Sequence, residues 1–237
     1  MSELPPSPPK ADLRGKIVDA LLELAAERRF EEISIRDICV RSGATLGEFR
    51  DLFASKGAVL GSLNRRFDRA VLDQNFSDSA SDVPRDRLFD VLMRRLDAMG
   101  PYKAGMREVV AWIKRDPIAA ARINGALVNS LRFMLEAAGI EAEGGVGALK
   151  IQGLVIAWSR VVDVWLDDDE PGLSRTMAAL DSELTRGEGL VRGVEQLERL
   201  ASPFTALARG ALEVGARFSA RRRTAPEPES PRAAREF

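Results

Sequence analysis

Histidine is absent from this chain, and cysteine occurs once, at Cys39. Without an imidazole there is no ordinary general base, no imidazole metal ligand, and no Ser-His or Cys-His nucleophile. A lone cysteine excludes an internal disulfide and suits a reducing, cytoplasmic compartment. Tyrosine also occurs once, alternating β-branched runs are missing, and with them the strand that a glycine-rich phosphate loop follows. No apolar run approaches the roughly 20 residues that a membrane span needs. Charge of either sign is not in excess. The net value is −1 with a pI near 5.8, so any nucleic-acid contact must come from a local patch. Carboxylates alone remain for chemistry, and Asp167-Asp168-Asp169-Glu170 is their one dense cluster. It stands directly before Pro171, where acidic residues favour a helix start, and reads as capping. The expectation is no enzyme, no metal and no cofactor.

What is present is helix-forming: 45% apolar and 30% charged residues, rich in Ala, Leu, Arg and Glu. That composition predicts an all-α protein with ample material for a core. The most specific stretch is 30–56, FEEISIRDICVRSGATLGEFRDLFASK. Ser34 with Asp37, and Thr45 with Glu48, each have the spacing of a capping box at a helix start. Ser42-Gly43-Ala44 supplies the turn between them. Ile35, Ile38 and Cys39 fall on one face of the first helix; Leu46, Phe49 and Leu52 or Phe53 do so on the second. Cys39 there reads as a small buried filler. Two helices this short need a third to pack on, and 13–30 provides it through Ile17, Leu21, Leu24 and Ala25 at helical spacing. A short helix pair on such a support is the arrangement that presents one helix to the DNA major groove.

These residues resemble the N-terminal domain of TetR-family transcriptional regulators. The shared features are a first helix ending near an aromatic residue (Phe30), a helix-turn-helix (Ile35 to Phe53), and the step Phe53-Ala54-Ser55-Lys56 into a long fourth helix. The likeness covers about the first third of the chain. In the second helix Thr45, Gly47, Phe49 and Phe53 keep the family pattern. Leu46, Arg50 and Leu52 stand where Lys, Tyr and His are usual, and Glu48 and Asp51 add two carboxylates. The resemblance implies a DNA-reading surface made of Ser34, Arg36, Arg41, Thr45, Leu46, Gly47, Glu48, Arg50, Asp51 and Lys56. In that surface the arginines and Lys56 contact phosphates or guanine, and a carboxylate accepts from cytosine N4. It predicts that Lys56→Ala lowers the salt slope of binding by about one.

The expected organisation is a disordered arm over 1–10, a helix-turn-helix domain over 11–56 and a helical effector-binding and dimerisation domain over 57–200. An amphipathic helix over 201–224 and a disordered tail over 225–237 follow. The proline-rich arm lacks the charged and apolar regions of a signal peptide. A polar linker over 77–83 precedes helices expected at 84–99, up to 114, and from Pro117 onward. A glycine-rich loop over 139–147 and long helices over 148–166 and 172–200 complete the body. An effector cavity needs apolar walls with a few convergent polar groups. Met106, Trp112, Asn124, Asn129, Phe133, Met134, Gln152, Trp158 and Ser159 are the candidates, and such a lining suits a hydrophobic small molecule. The family likeness implies a homodimer through the last long helices, with Leu154, Val161, Trp165, Met177, Leu180 and Leu184 at the interface. The dimer would read a pseudo-palindromic operator in double-stranded DNA.

A second resemblance covers 165–181. It is similar to the end of the lipid-binding accessory proteins of coenzyme Q biosynthesis, which resemble TetR regulators in fold but do not act on DNA. Phe204, Leu207, Ala211, Leu212 and Phe218, flanked by arginines, form the amphipathic face this alternative needs for peripheral membrane contact through 203–223. Packing of that helix on the protein's own body is the other reading of the same pattern.

Overall fold

The computed structural model describes residues 10–74 and 81–189. All of these fall in one compact unit that ends at Gly189, and the residues from Leu190 on lie outside the described residues. Residues 1–9 of the arm expected over 1–10, most of the linker, and the expected C-terminal helix and tail also lie outside them, while Lys10 already belongs to the first helix. Every regular element among the described residues is helical.

Helix α1 (Lys10–Glu27) is the hub. Leu13, Ile17, Val18, Leu21, Leu22, Leu24 and Ala25 are all buried, because α2, α4 and α6 pack around it. A single 3-10 turn at Phe30–Glu32 follows, then α2 (Ile35–Ser42) and α3 (Leu46–Leu52). Both capping boxes form as the spacing predicts. Ser34 Oγ accepts from the Asp37 amide at 3.1 Å while Asp37 accepts from the Ser34 amide at 2.9 Å. The Thr45 and Glu48 pair repeats this at 3.1 and 2.8 Å. Gly43 ends α2 at φ 72°, the left-handed conformation that costs a residue with a Cβ about 1–2 kcal/mol.

Two expected core residues are outside. Ile35 and Leu46 are 36% and 59% exposed. Each is the first residue of a helix of about two turns, and only the middle of such a helix faces its support. Ile38, Cys39 and Phe49, with Phe53 just beyond α3, take the buried positions. Burial raises the pKa of the Cys39 thiol, as befits a filler.

Helix α4 (Lys56–Leu72) is capped by Ser55 and buries Val59, Leu60, Leu63, Phe67 and Val71. Helix α5 (Pro84–Met99) begins on its proline, with Leu88, Val91, Leu92, Leu96 and Met99 inward. A 3-10 turn at Gly100–Tyr102 leads into α6 (Lys103–Arg115). Asp116 then caps α7 (Pro117–Ala137), accepting from the Ile118 and Ala119 amides at 2.9 and 3.0 Å. Helix α8 (Gly144–Leu166) starts four residues before the expected 148. Its start has no side-chain cap, so the sequence carries no signal there.

The acidic cluster after α8 joins two helices. The buried Asp168 carboxylate accepts from the Thr176 amide at 2.9 Å and hydroxyl at 2.7 Å, capping the helical residues 174–189. The Thr176 hydroxyl, above all, holds its pKa below the usual carboxylate range. Lys103, Arg107 and Arg175 donate to the carbonyls of Asp168, Leu166 and Asp167, so cations meet the negative end of α8.

Candidate DNA-reading head and effector cavity

The candidate reading head is α2 and α3 held on α1. Arg41 fixes α2 to α1 by a paired contact to Glu27, both distances 2.8 Å, with Glu23 at 3.3 Å. These carboxylates push the guanidinium pKa further up. Arg28 reaches Asp37 at 3.1 Å. Glu48 is engaged locally by the Thr45 amide and hydroxyl, at 2.8 and 2.9 Å. Its Oε2 therefore serves as a cap. Arg36, Leu46, Gly47, Arg50 and Asp51 are exposed. Arg36 and Arg50 have no carboxylate partner among the described residues, which leaves them the reading head's two uncommitted cations on α2 and α3. Val40, 77% exposed, and Leu46 add apolar side chains to the surface of this pair.

Lys56 sits elsewhere. Its ammonium donates to the Phe30 carbonyl at 2.6 Å and the Ile33 carbonyl at 2.7 Å, and it lies 4.4 Å from the Phe30 ring centre. Partial burial lowers its pKa, against the pull of Glu31. Phe30 stacks on Trp112 with ring centres 4.2 Å apart, and its amide donates to Glu108 at 3.1 Å. Lys56 thus locks the start of α4 onto the segment that joins the reading head to α6. Lys56→Met is expected to lower stability by about 1–3 kcal/mol, the worth of charge-assisted bonds lost from a partly buried site. Urea unfolding measures it; an unchanged midpoint would remove the lock.

Behind that joint lies a cavity of about 750 Å³. Its walls come from α4 through α8: Leu60, Leu63, Phe67, Met99, Met106, Val109, Ile123, Leu127 and Trp158 are apolar, and Phe30 and Trp112 close one side. At the rim Lys114 pairs with Asp163 at 2.7 Å, beside Arg122 and Asn124. Deeper, Arg95 is 1% exposed. It pairs with Asp68 through Nη1 and donates from Nη2 to Asn64 at 2.7 Å, while Ser130 also donates to Asp68. The guanidinium lies 5.5 Å from the Trp158 ring centre. This network joins α4, α5, α7 and α8.

Solved structures share this fold. A TetR transcriptional regulator from Nitrosomonas europaea matches with a TM-score of 0.58 at 22% identity, covering 74% of this chain and 98% of that one. One from Rhodococcus sp. RHA1 matches at 0.52 and 21% identity, covering 74% of this chain and 97% of that one. This chain has the TetR-regulator fold. No protein-family model and no curated protein matches it, so the likeness is one of architecture.

Within the TetR fold, the cavity gathers five of the nine expected effector residues: Met106, Trp112, Asn124, Trp158 and Ser159. Asn129, Phe133, Met134 and Gln152 are not in its lining. Met134 is fully buried in the core, whereas Phe133 and Gln152 are exposed on the outer sides of α7 and α8. The sequence reading missed Arg95, Asp68, Asn64 and Phe30. A signal was there: Arg95 stands in the apolar stripe of Leu88, Leu92, Leu96 and Met99. A charged residue inside such a stripe marks a buried pair.

The expected interface residues are mostly spent inside one chain. Leu154, Val161, Trp165, Leu180 and Leu184 are buried, and Met177 alone is exposed. Periodicity does not distinguish a core face from an interface face. The outer face of α8 carries Leu149 and Ile156, both 51% exposed, in addition to Met177 from the following helix.

Proposed function

We propose that this chain is a dimeric DNA-binding transcriptional regulator controlled by a hydrophobic small molecule. The observation that carries the reading is the doubly capped helix-turn-helix, with α3 exposed along Leu46, Gly47, Arg50 and Asp51 and with Arg36 and Arg50 lacking a carboxylate partner among the described residues. An exposed short helix on a rigid support fits the major groove, and unpaired arginines serve phosphate or guanine. Leu46 suits a thymine methyl. Arg41, Glu48 and Lys56 have structural partners, so their part is to hold the head in shape. Leu149, Ile156 and Met177 form the face on which a second copy would pack, placing two α3 helices against one pseudo-palindrome.

The cavity supports the control step. Phe30, Ser55, Lys56 and Gly57 belong to its lining and also to the joint of the reading head. A ligand there bears directly on the Lys56–Phe30–Trp112 lock and shifts the spacing of the two heads, which couples the sites.

The test is binding of the purified protein to its own upstream DNA across a salt series. Sequence-selective binding with a steep salt slope is expected. Arg50→Ala should weaken it about tenfold or more, the worth of one good base contact. Affinity unchanged by Arg50→Ala would remove α3 from the interface. A second reading, lipid carriage without DNA binding, draws on the exposed Val40 and Leu46 and the few free cations of the head. It is favoured by no selective DNA shift together with sedimentation on anionic liposomes that truncation before Ser202 abolishes.

A further inference from the structure

Six charged side chains line the cavity, and five of them have partners. Lys56 is held by two carbonyls, Arg95 by Asp68 and Asn64, and Lys114 and Asp163 by each other. Asp116 accepts from the first amides of α7. Arg122 is the sixth; it is exposed at the rim and has no partner among the described residues. Asn124, in the same wall, makes no side-chain hydrogen bond either. Its amide is not among the buried unpaired atoms, so solvent reaches it. One turn before Arg122, Ile118 also lines the cavity and is 68% exposed. The rim therefore offers an apolar side chain in water next to two free sets of donors, at the opening of an apolar cavity.

We infer that the effector is a single-chain amphiphile with a carboxylate head. Its chain fills the cavity, its neck passes Ile118, and its carboxylate is bound by Arg122 and Asn124 at the rim. This deepens the effector reading above and rests on it. A volume of about 750 Å³ is in the range of small-molecule sites, and each methylene placed against the apolar walls adds affinity. The planar guanidinium fork matches the two oxygens of a carboxylate, and the Asn124 amide adds a further donor. A head at the rim keeps part of its water, so its charge is not stranded in the interior. The charge count selects a single negative charge. Lys114 is already balanced by Asp163, so Arg122 offers one positive charge, and a phosphate dianion would leave an excess beside Asp116 and Asp163.

The experiment titrates the full chain by calorimetry with decanoate, 1-decanol and decyl phosphate. Each is kept below its aggregation limit, at mildly alkaline pH where the phosphate is a dianion. Arg122→Gln is expected to weaken decanoate about fivefold at low salt, the worth of a well-formed ion pair at a solvated site, and to leave 1-decanol unchanged. Arg122→Lys keeps the charge without the fork and should recover part of that loss. Arg122 is exposed, so neither change threatens the fold. The parent chain supplies a second readout: decanoate should lose affinity as salt rises, and 1-decanol should not. Equal losses for both probes in Arg122→Gln, or no loss for either, overturn the role of Arg122. Tighter binding of decyl phosphate than of decanoate overturns the singly charged head. Binding of 1-decanol alone overturns the carboxylate and leaves the effector reading standing. Binding of none of the three removes that reading, and this inference with it.

Discussion

Gly105→Ala is expected to lower the stability of the chain by about 3 kcal/mol, the upper end of what an overpacked core loses. A Cβ at Gly105 would lie 2.3 Å from the Leu22 carbonyl oxygen, 3.0 Å from its carbonyl carbon and 3.1 Å from its Cα. All three are backbone atoms of α1, so no side-chain rotation relieves the clash. Carbon atoms in contact sit about 3.5–4.0 Å apart, and α6 would have to retreat from α1 by a sizeable part of the shortfall. Helix α1 cannot follow, since α2 and α4 hold its other sides. Helix propensity pulls the other way, because alanine is better than glycine in a helix interior by about 1 kcal/mol. Gly125→Ala isolates that term: Gly125 is exposed in α7 and its Cβ would meet nothing within 4 Å. Denaturant unfolding should show Gly125→Ala stabilised and Gly105→Ala strongly destabilised. A Gly105→Ala protein as stable as its parent would mean that α6 and α1 are not held this close.

The consequence reaches function, because α1 carries the reading head and α6 belongs to the body. Their close approach, together with the Lys56–Phe30–Trp112 lock, is what keeps head and body in register. A variant that parts α6 from α1 should lose any effector control before it loses the fold of the head, since the head's capping boxes are internal to it.

Local features were legible in the sequence, and features that depend on a distant partner were not. Ser34 with Asp37, Thr45 with Glu48, Gly43, and the Asp116-Pro117 start of α7 all depend on neighbours within three residues. Spacing alone finds them. The side on which a two-turn helix is buried is less determined, and Ile35 and Leu46 end up outside. Lys56 shows the limit of a motif: the Phe-x-x-Lys step is present, yet the ammonium serves two carbonyls 23 and 26 residues earlier. Trp165 and Leu180 are apolar for the sake of their own core, which a helical stripe cannot distinguish from an interface. Arg95 is the least legible of these residues, since its burial makes sense only with Asp68 of another helix beside it.

That pair gives the other large effect. Asp68→Leu is expected to cost about 3–5 kcal/mol, because it leaves the Arg95 guanidinium buried without its countercharge. Burial already pulls the Arg95 pKa down, and Asp68 is what opposes that pull. Asn64 and the Trp158 face remain near the guanidinium, but neither carries a negative charge. Arg95→Met should cost less than Asp68→Leu, since Asp68 is 14% exposed, retains Ser130 as a donor and can draw on water. The double variant replaces the pair with apolar side chains of similar length. It should return close to the parent or above it, because two desolvated charges and the orphan Nε leave together. Urea midpoints of the four proteins close a double-mutant cycle. A coupling energy of several kcal/mol, with the double variant nearer the parent than Asp68→Leu, is the expected result. Additive losses would show that the two charges do not need each other, and that water or the protein elsewhere supports Arg95. A rescued double variant would instead mean that the pair is kept for something other than stability.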